Sequence, residues 1–193
     1  MQAKSESIRK LVIMAMLTAL SIVLVYLIRF PIFPSAPFLE YDMADVPILI
    51  GAFLFGPLSG LALTVVTCVI QGLTVSASSG WVGIIMHLCA TGAFVLVAGC
   101  IYKAKHTRKG ALIGLALGTL TMTLMMIPLN LIFTVHFLGT PRAVVVGMMV
   151  PVIIPFNLIK ALANAVLTFV LYKAVGRVLR LDSPAGQPAP SLK

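Results

Sequence analysis

Long apolar runs separated by short charged clusters divide the chain into alternating blocks. Residues 11–28, 81–102, 111–137 and 147–175 are each long enough to cross a bilayer, which takes roughly 20 helical residues. A fifth apolar stretch, 46–73, is interrupted by Gly56-Pro57, and is too long for one crossing but short for two. The basic residues decide its reading. Lys4, Arg9 and Lys10 precede the first run, Lys103, Lys105, Arg108 and Lys109 fill one loop, and Lys173, Arg177 and Arg180 end the last. Lys and Arg concentrate on the cytoplasmic side, so even numbers of crossings separate these clusters. That holds only if 46–73 crosses twice and reverses at the Gly-Pro turn. The pattern predicts an all-α membrane protein: a six-helix transmembrane bundle with both termini cytoplasmic. Its second and third helices are short, which is tolerated where protein covers their ends.

The first outer loop, residues 29–44, holds Glu40 and Asp42, with Asp45 just beyond, and these are three of only five acids. It also carries Phe30, Pro31, Phe33, Pro34, Pro37, Phe38 and Tyr41. Such a loop predicts an ordered extracellular lid. The second outer loop, 74–80, is rich in Ser and Gly, and the third, 138–146, contains Arg142. Residues 1–180 read as a single transmembrane domain. Residues 181–193, with Pro184, Pro188 and Pro190, read as a disordered cytoplasmic tail.

Composition narrows the function. The chain is 60% hydrophobic and 10% charged, whereas soluble domains run near 25% charged. The net charge of +9 follows from topology, and no aromatic-interleaved basic patch points to nucleic acid. No phosphate-binding GxxxxGK[ST] loop is present, so ATP hydrolysis by that route is excluded. Neither HExxH nor GxSxG occurs, and nothing in the spacing of Ser78, His87 and Asp45 argues for a catalytic triad, so the chain does not read as an enzyme. Cys68, Cys89 and Cys100 lie in apolar runs as packing thiols. Met122, Met125, Met126, Met148 and Met149 read as adaptable packing, not a metal site.

The informative chemistry lies in the last span. An ammonium at membrane depth costs about 2.5–3.5 kcal/mol on insertion scales, and such residues face a bundle interior or a cavity. Lys160 is that ammonium, with Asn157 three residues before it and Asn164 four after, all on one helix face. Gln71, His87 and Asn130 fall at similar depth in the outer halves of other helices. Convergent polar groups within an apolar pocket are the usual form of a small-molecule site. No carboxylate in the last three helices can pair with Lys160, leaving Asp42, Asp45 or a ligand carbonyl. The bland alternatives are a packed histidine at His87, interhelical hydrogen bonds at Gln71 and Asn164, or a membrane scaffold with no substrate. Ala15 and Ala19, four apart in the first helix, permit close approach of another helix.

Several stretches carry a resemblance: FLEYDMADVP at 38–47, FGPLSG at 55–60, IQGLTV at 70–75, IPLNL at 127–131 and IPFNLIKA at 154–161. With them, residues 8–180 resemble the substrate-binding S components of energy-coupling factor (ECF) transporters, most closely the riboflavin-specific branch. The resemblance implies a prokaryotic plasma-membrane protein that binds riboflavin as a transported ligand, not a cofactor. Asn130, Asn157 and Lys160 then fall on flavin-binding positions. Leu39, Tyr41, Asp42 and Asp45 belong to the lid, and Gln71, His87 and Asn164 are further candidates. Ala15 and Ala19 would dock onto a transmembrane T subunit driven by two ABC-type ATPases. The chemistry suits the ligand: an asparagine offers donor and acceptor to the pyrimidine edge of isoalloxazine. The lack of a dense basic cluster favours riboflavin over its phosphate. An S component for another vitamin is the alternative within this family.

Overall fold

The computed structural model describes residues 2–34, 36, 38–77 and 80–179; Arg180, Ser78 and the tail expected at 181–193 lie outside the described residues. Helix α1 spans Gln2–Leu27. The loop that follows contains a two-stranded antiparallel hairpin, β1 (Arg29–Pro31) with β2 (Glu40–Asp42), in the register Arg29↔Asp42, Phe30↔Tyr41 and Pro31↔Glu40. The all-α expectation omitted this hairpin, because three-residue strands are too short to show an alternating pattern. The rings of Phe30 and Tyr41 pack with centroids 5.4 Å apart, a cross-strand pair that supports it.

The stretch that sequence alone left ambiguous forms two helices, α2 (Asp45–Phe55) and α3 (Pro57–Leu73). Gly56 between them has φ +92°, a left-handed conformation that favours glycine, and Pro57 occupies the first turn of α3. Helix α2 is buried on every face from Asp45 to Phe53 and packs against α1, α3, α4 and α7. It is the central helix, which explains an 11-residue helix that is apolar all round. At 1.5 Å per residue it rises only about 16 Å, roughly half a hydrocarbon core. Protein, not lipid, surrounds it.

Helix α4 runs Gly80–Ala104 and α5 runs Arg108–Leu129, the latter capped by Thr107, whose hydroxyl accepts from the Gly110 N–H. Helix α5 continues through a π turn, Asn130–Thr134. Helix α6 (Arg142–Met148), a second π turn (Met149–Ile153) and α7 (Ile154–Val178) form one rod. That rod begins five residues before the apolar run that predicted it, taking Arg142 from the expected loop into the helix. A proline lies within or just before each π turn, Pro128 and Pro151, and a wider turn accommodates the missing N–H.

Among the described residues, four helical segments are long and apolar enough to cross a membrane: Glu6–Leu27, Gly80–Ala104, Arg108–Thr134 and Arg142–Val178. Their outward faces expose Leu11, Val12, Leu112, Leu117, Val166 and Val170. Ile48, Leu49, Phe94, Val95 and Leu115 fill the core. Below it, Phe53 stacks on Tyr102 at 4.3 Å and meets Tyr172 edge-on at 5.5 Å. Arg9 donates to the Leu179 carbonyl, so the two ends of the described chain meet on one side. Lys10 lies over the Phe55 ring at 5.7 Å, which brings the Gly56 turn to that same side.

Candidate functional site

Strand β2 carries the hairpin's polar groups to the bundle. Lys160 Nζ donates to Asp42 Oδ2 at 2.6 Å, both side chains being over nine-tenths buried. The buried ammonium is therefore neutralised by a carboxylate of the hairpin. One turn along α7, the Asn164 amide donates to the Asp42 carbonyl at 3.2 Å and to Asp45 Oδ2 at 3.1 Å. Its oxygen accepts from the Tyr41 hydroxyl at 3.1 Å. Burial, then the neighbouring Asp42 carboxylate, raises the Tyr41 phenol above its ordinary value, so it stays a donor.

Asp45 opens α2 fully buried. Its Oδ1 accepts from the Thr91 hydroxyl at 2.9 Å and lies 3.4 Å from His87 Nε2. Asp42 Oδ1 accepts from the Ala44 N–H at 3.0 Å, and the Ala44 carbonyl accepts from Ser21 at 3.0 Å. The hairpin is thus fastened to α1, α2, α4 and α7 by one connected set of polar contacts. Buried networks of this kind hold a unique geometry when their members are satisfied.

Two adjoining cavities sit beside this network. The first, about 150 Å³, lies between the hairpin and α3, α4 and α7, and is lined by Arg29, Leu39, Glu40, Asp42, Gln71, Ser76, His87 and Lys160 among others. The second, about 140 Å³, penetrates between α4, α5 and α7 along Met86, Ala90, Met122, Met126, Phe156 and Asn157. Gly83, His87, Phe156 and Lys160 border both. The site therefore has a polar compartment beside the hairpin and an apolar compartment deeper in the bundle, with Lys160 and His87 at their junction.

Gln71 reaches Ser76 Oγ at only 3.4 Å, and its buried amide oxygen has no partner among the described residues. An orphaned buried acceptor is costly unless a donor is brought to it. Asn157 donates to the Ile153 carbonyl of its own helical rod at 2.8 Å. Asn130 makes the equivalent bond to Met126 at 2.8 Å and accepts from Thr134 at 3.1 Å. It borders neither cavity, and neither do Tyr41, Asp45 and Asn164, which hold the network instead. Leu39, Asp42, Gln71, His87, Asn157 and Lys160 do line the cavities. Ala15 and Ala19 lie exposed on α1, away from the site.

Sequence reasoning passed over Arg29, Ser76, Phe156, Met86 and Gly83, and read Met122 and Met126 only as packing. The four-residue spacing of Met122 and Met126 puts both on one face of α5, a signal available in advance.

A helical membrane bundle enclosing a cavity that is polar beside the hairpin and apolar within is the architecture of a small-molecule-binding membrane protein. Residues 9–172 match the family described as ECF transporter, substrate-specific component, and the chain belongs to that family. It is 32% identical over 179 residues to "Riboflavin transporter FmnP" of Bacillus subtilis (strain 168), covering 86% of this chain and 90% of that one. It is 31% identical over 181 residues to "Riboflavin transporter RibU" of Staphylococcus aureus (strain TCH60), covering 89% and 93%. A solved structure titled "Structure and mechanism of the S component of a bacterial ECF transporter" matches with TM-score 0.77 at 32% identity, over 93% of this chain and 99% of that one. The chain is accordingly a multi-pass membrane transport component and not an enzyme.

Proposed function

We propose that this chain captures riboflavin at the outer face of the membrane and delivers it inward with an ECF T subunit and two ABC-type ATPases. The observation that carries this reading is the two-compartment cavity. Riboflavin has a flat, largely apolar ring system and a polyhydroxyl ribityl chain. The ring suits the compartment of Met86, Met122, Met126 and Phe156, where soft side chains conform to an aromatic plane. Asn157 and Lys160 stand where the carbonyl edge of the ring would meet donors. The ribityl hydroxyls suit the acceptors Gln71 and Asp42 in the outer compartment. The names of the relatives point to the same ligand.

In this reading the ligand is touched by Leu39, Asp42, Gln71, His87, Asn157 and Lys160. Tyr41, Asp45 and Asn164 hold the lid and the junction, and Asn130 supports the wall through the π turn that it begins. Residues 1–180 act as one substrate-binding domain with six crossings, the hairpin outside and both termini in the cytoplasm. The meeting of Arg9 with Leu179 supports termini on one side, and the packing of Lys10 over Phe55 supports a cytoplasmic Gly56 turn. The exposed Ala15 and Ala19 face of α1 serves T-subunit docking.

The test is flavin fluorescence on purified protein. Riboflavin should be quenched with one-to-one stoichiometry and should raise the thermal midpoint more than pantothenate or thiamine does. No quenching and no shift at saturating riboflavin would overturn the ligand assignment.

A further inference from the structure

Arg29 is the only basic residue of the hairpin, and it reaches in two directions. Its guanidinium forms an ion pair with Glu40 on the opposite strand, and a separate nitrogen donates to the Val75 carbonyl in the α3–α4 loop. Arg29 and Glu40 side chains are 23% and 32% exposed, so they sit at the rim of the outer compartment, which both line. Arg29 is also the register partner of Asp42, the residue held by Lys160. One rung of the hairpin thus carries two fastenings: a floor contact to α7 through Asp42, and a rim contact to the α3–α4 loop through Arg29.

We infer that Arg29 is a clasp that ties the hairpin to the α3–α4 loop and sets how often the mouth opens. The planar guanidinium can serve Glu40 and Val75 at once, which a lysine ammonium on a flexible stem does far less well. The clasp joins protein to protein and needs no ligand to form. Breaking it therefore favours opening of the empty and filled states alike, which raises entry and exit rates together and leaves the equilibrium nearly unchanged. A residue that gripped the ligand would behave differently, changing exit alone.

This inference goes beyond the riboflavin reading and is testable without any ligand, because the native Cys68 is 2% exposed and lines the same outer compartment. In a Cys89→Ala, Cys100→Ser background, the rate at which a water-soluble maleimide labels Cys68 reports opening of the mouth. Arg29→Met and Glu40→Gln should each accelerate labelling by about three- to ten-fold, the scale expected for one partly exposed charge-assisted fastening. Arg29→Lys should fall between Arg29→Met and the parent, and the double variant should label no faster than Arg29→Met. Thermal midpoints within a few degrees of the parent confirm that labelling reports opening and not unfolding, and Glu40→Gln supplies an independent variant if Arg29→Met folds poorly. Labelling unchanged in both single variants overturns the clasp. In a second arm, stopped-flow riboflavin quenching should show association and dissociation rising together. Faster dissociation with unchanged association would make Arg29 a ligand contact and also overturn it. Parent protein that fails to quench riboflavin would defeat the ligand assignment while leaving the labelling result to decide the clasp.

Discussion

Lys160 shows how a single buried charge organises a site. Its ammonium is held by Asp42 rather than solvated, so the two residues are energetically one unit. Removing one member leaves the other uncompensated at depth, which costs about 3–5 kcal/mol, whereas replacing both with apolar groups can be neutral. Asp42→Leu and Lys160→Met should therefore each lower the thermal midpoint markedly, and the double variant should recover most of the loss. The double variant should nevertheless bind riboflavin poorly, because the donor at the cavity junction is gone. If it kept full affinity, Lys160 would be a fold residue only. Asn157→Ala should weaken riboflavin binding by about 1–3 kcal/mol, since an unmatched polar ligand edge is left in the cavity. The stripe of Asn157, Lys160 and Asn164 was legible because helical spacing alone places the three on one face. The choice between Asp42 and Asp45 was not: two carboxylates three residues apart at a lid–helix junction differ only in tertiary placement. Nor could spacing show that Asn130 and Asn157 bond to their own helices.

At the scale of elements, two glycines separate conformational cost from packing cost. Gly56 has φ 92° and ψ 167°, a region essentially limited to glycine, with open space where a methyl would stand, so Gly56→Ala should cost only backbone strain, about 1–3 kcal/mol. A Cβ on Gly60 would stand 2.5 Å from the Ala52 Cβ and 2.6 Å from Val95 Cγ1, where α2, α3 and α4 pack together. Gly60→Ala must push backbones apart and should lower the thermal midpoint more than Gly56→Ala. The opposite order would show that the α2–α3 turn, not the contact below it, limits stability. The Gly-Pro turn was readable because glycine and proline punctuate an apolar run locally. The hairpin was not, since its pairing joins residues across an intervening loop. The early start of α6 was hidden because Val144, Val145 and Val146 are β-branched and weak helix formers, and tertiary packing overrides that preference.

At the scale of the whole molecule, a central helix too short to span lipid and an outer helix with an unused face divide the work. Because α2 is enclosed by its neighbours, the cavity and lid can be complete within the bundle while α1 remains the least buried of the four long apolar segments. On the proposed function, ligand capture and partner docking reside on different surfaces, and substitutions should separate them. Ala15 and Ala19 are exposed, so enlarging both to leucine adds side chains on the outer face of the fold without filling its core. Such a double variant should quench riboflavin within about two-fold of the parent, given that surface changes away from buried features are usually within ±0.5 kcal/mol. If small residues are needed for close helix approach to the T subunit, the same variant should lose ATP-driven uptake in vesicles containing the full complex. Normal uptake would move the docking face elsewhere on the bundle. Lost quenching would mean instead that α1 is coupled to the cavity, through the Ser21 bond to the Ala44 carbonyl at the lid's inner end.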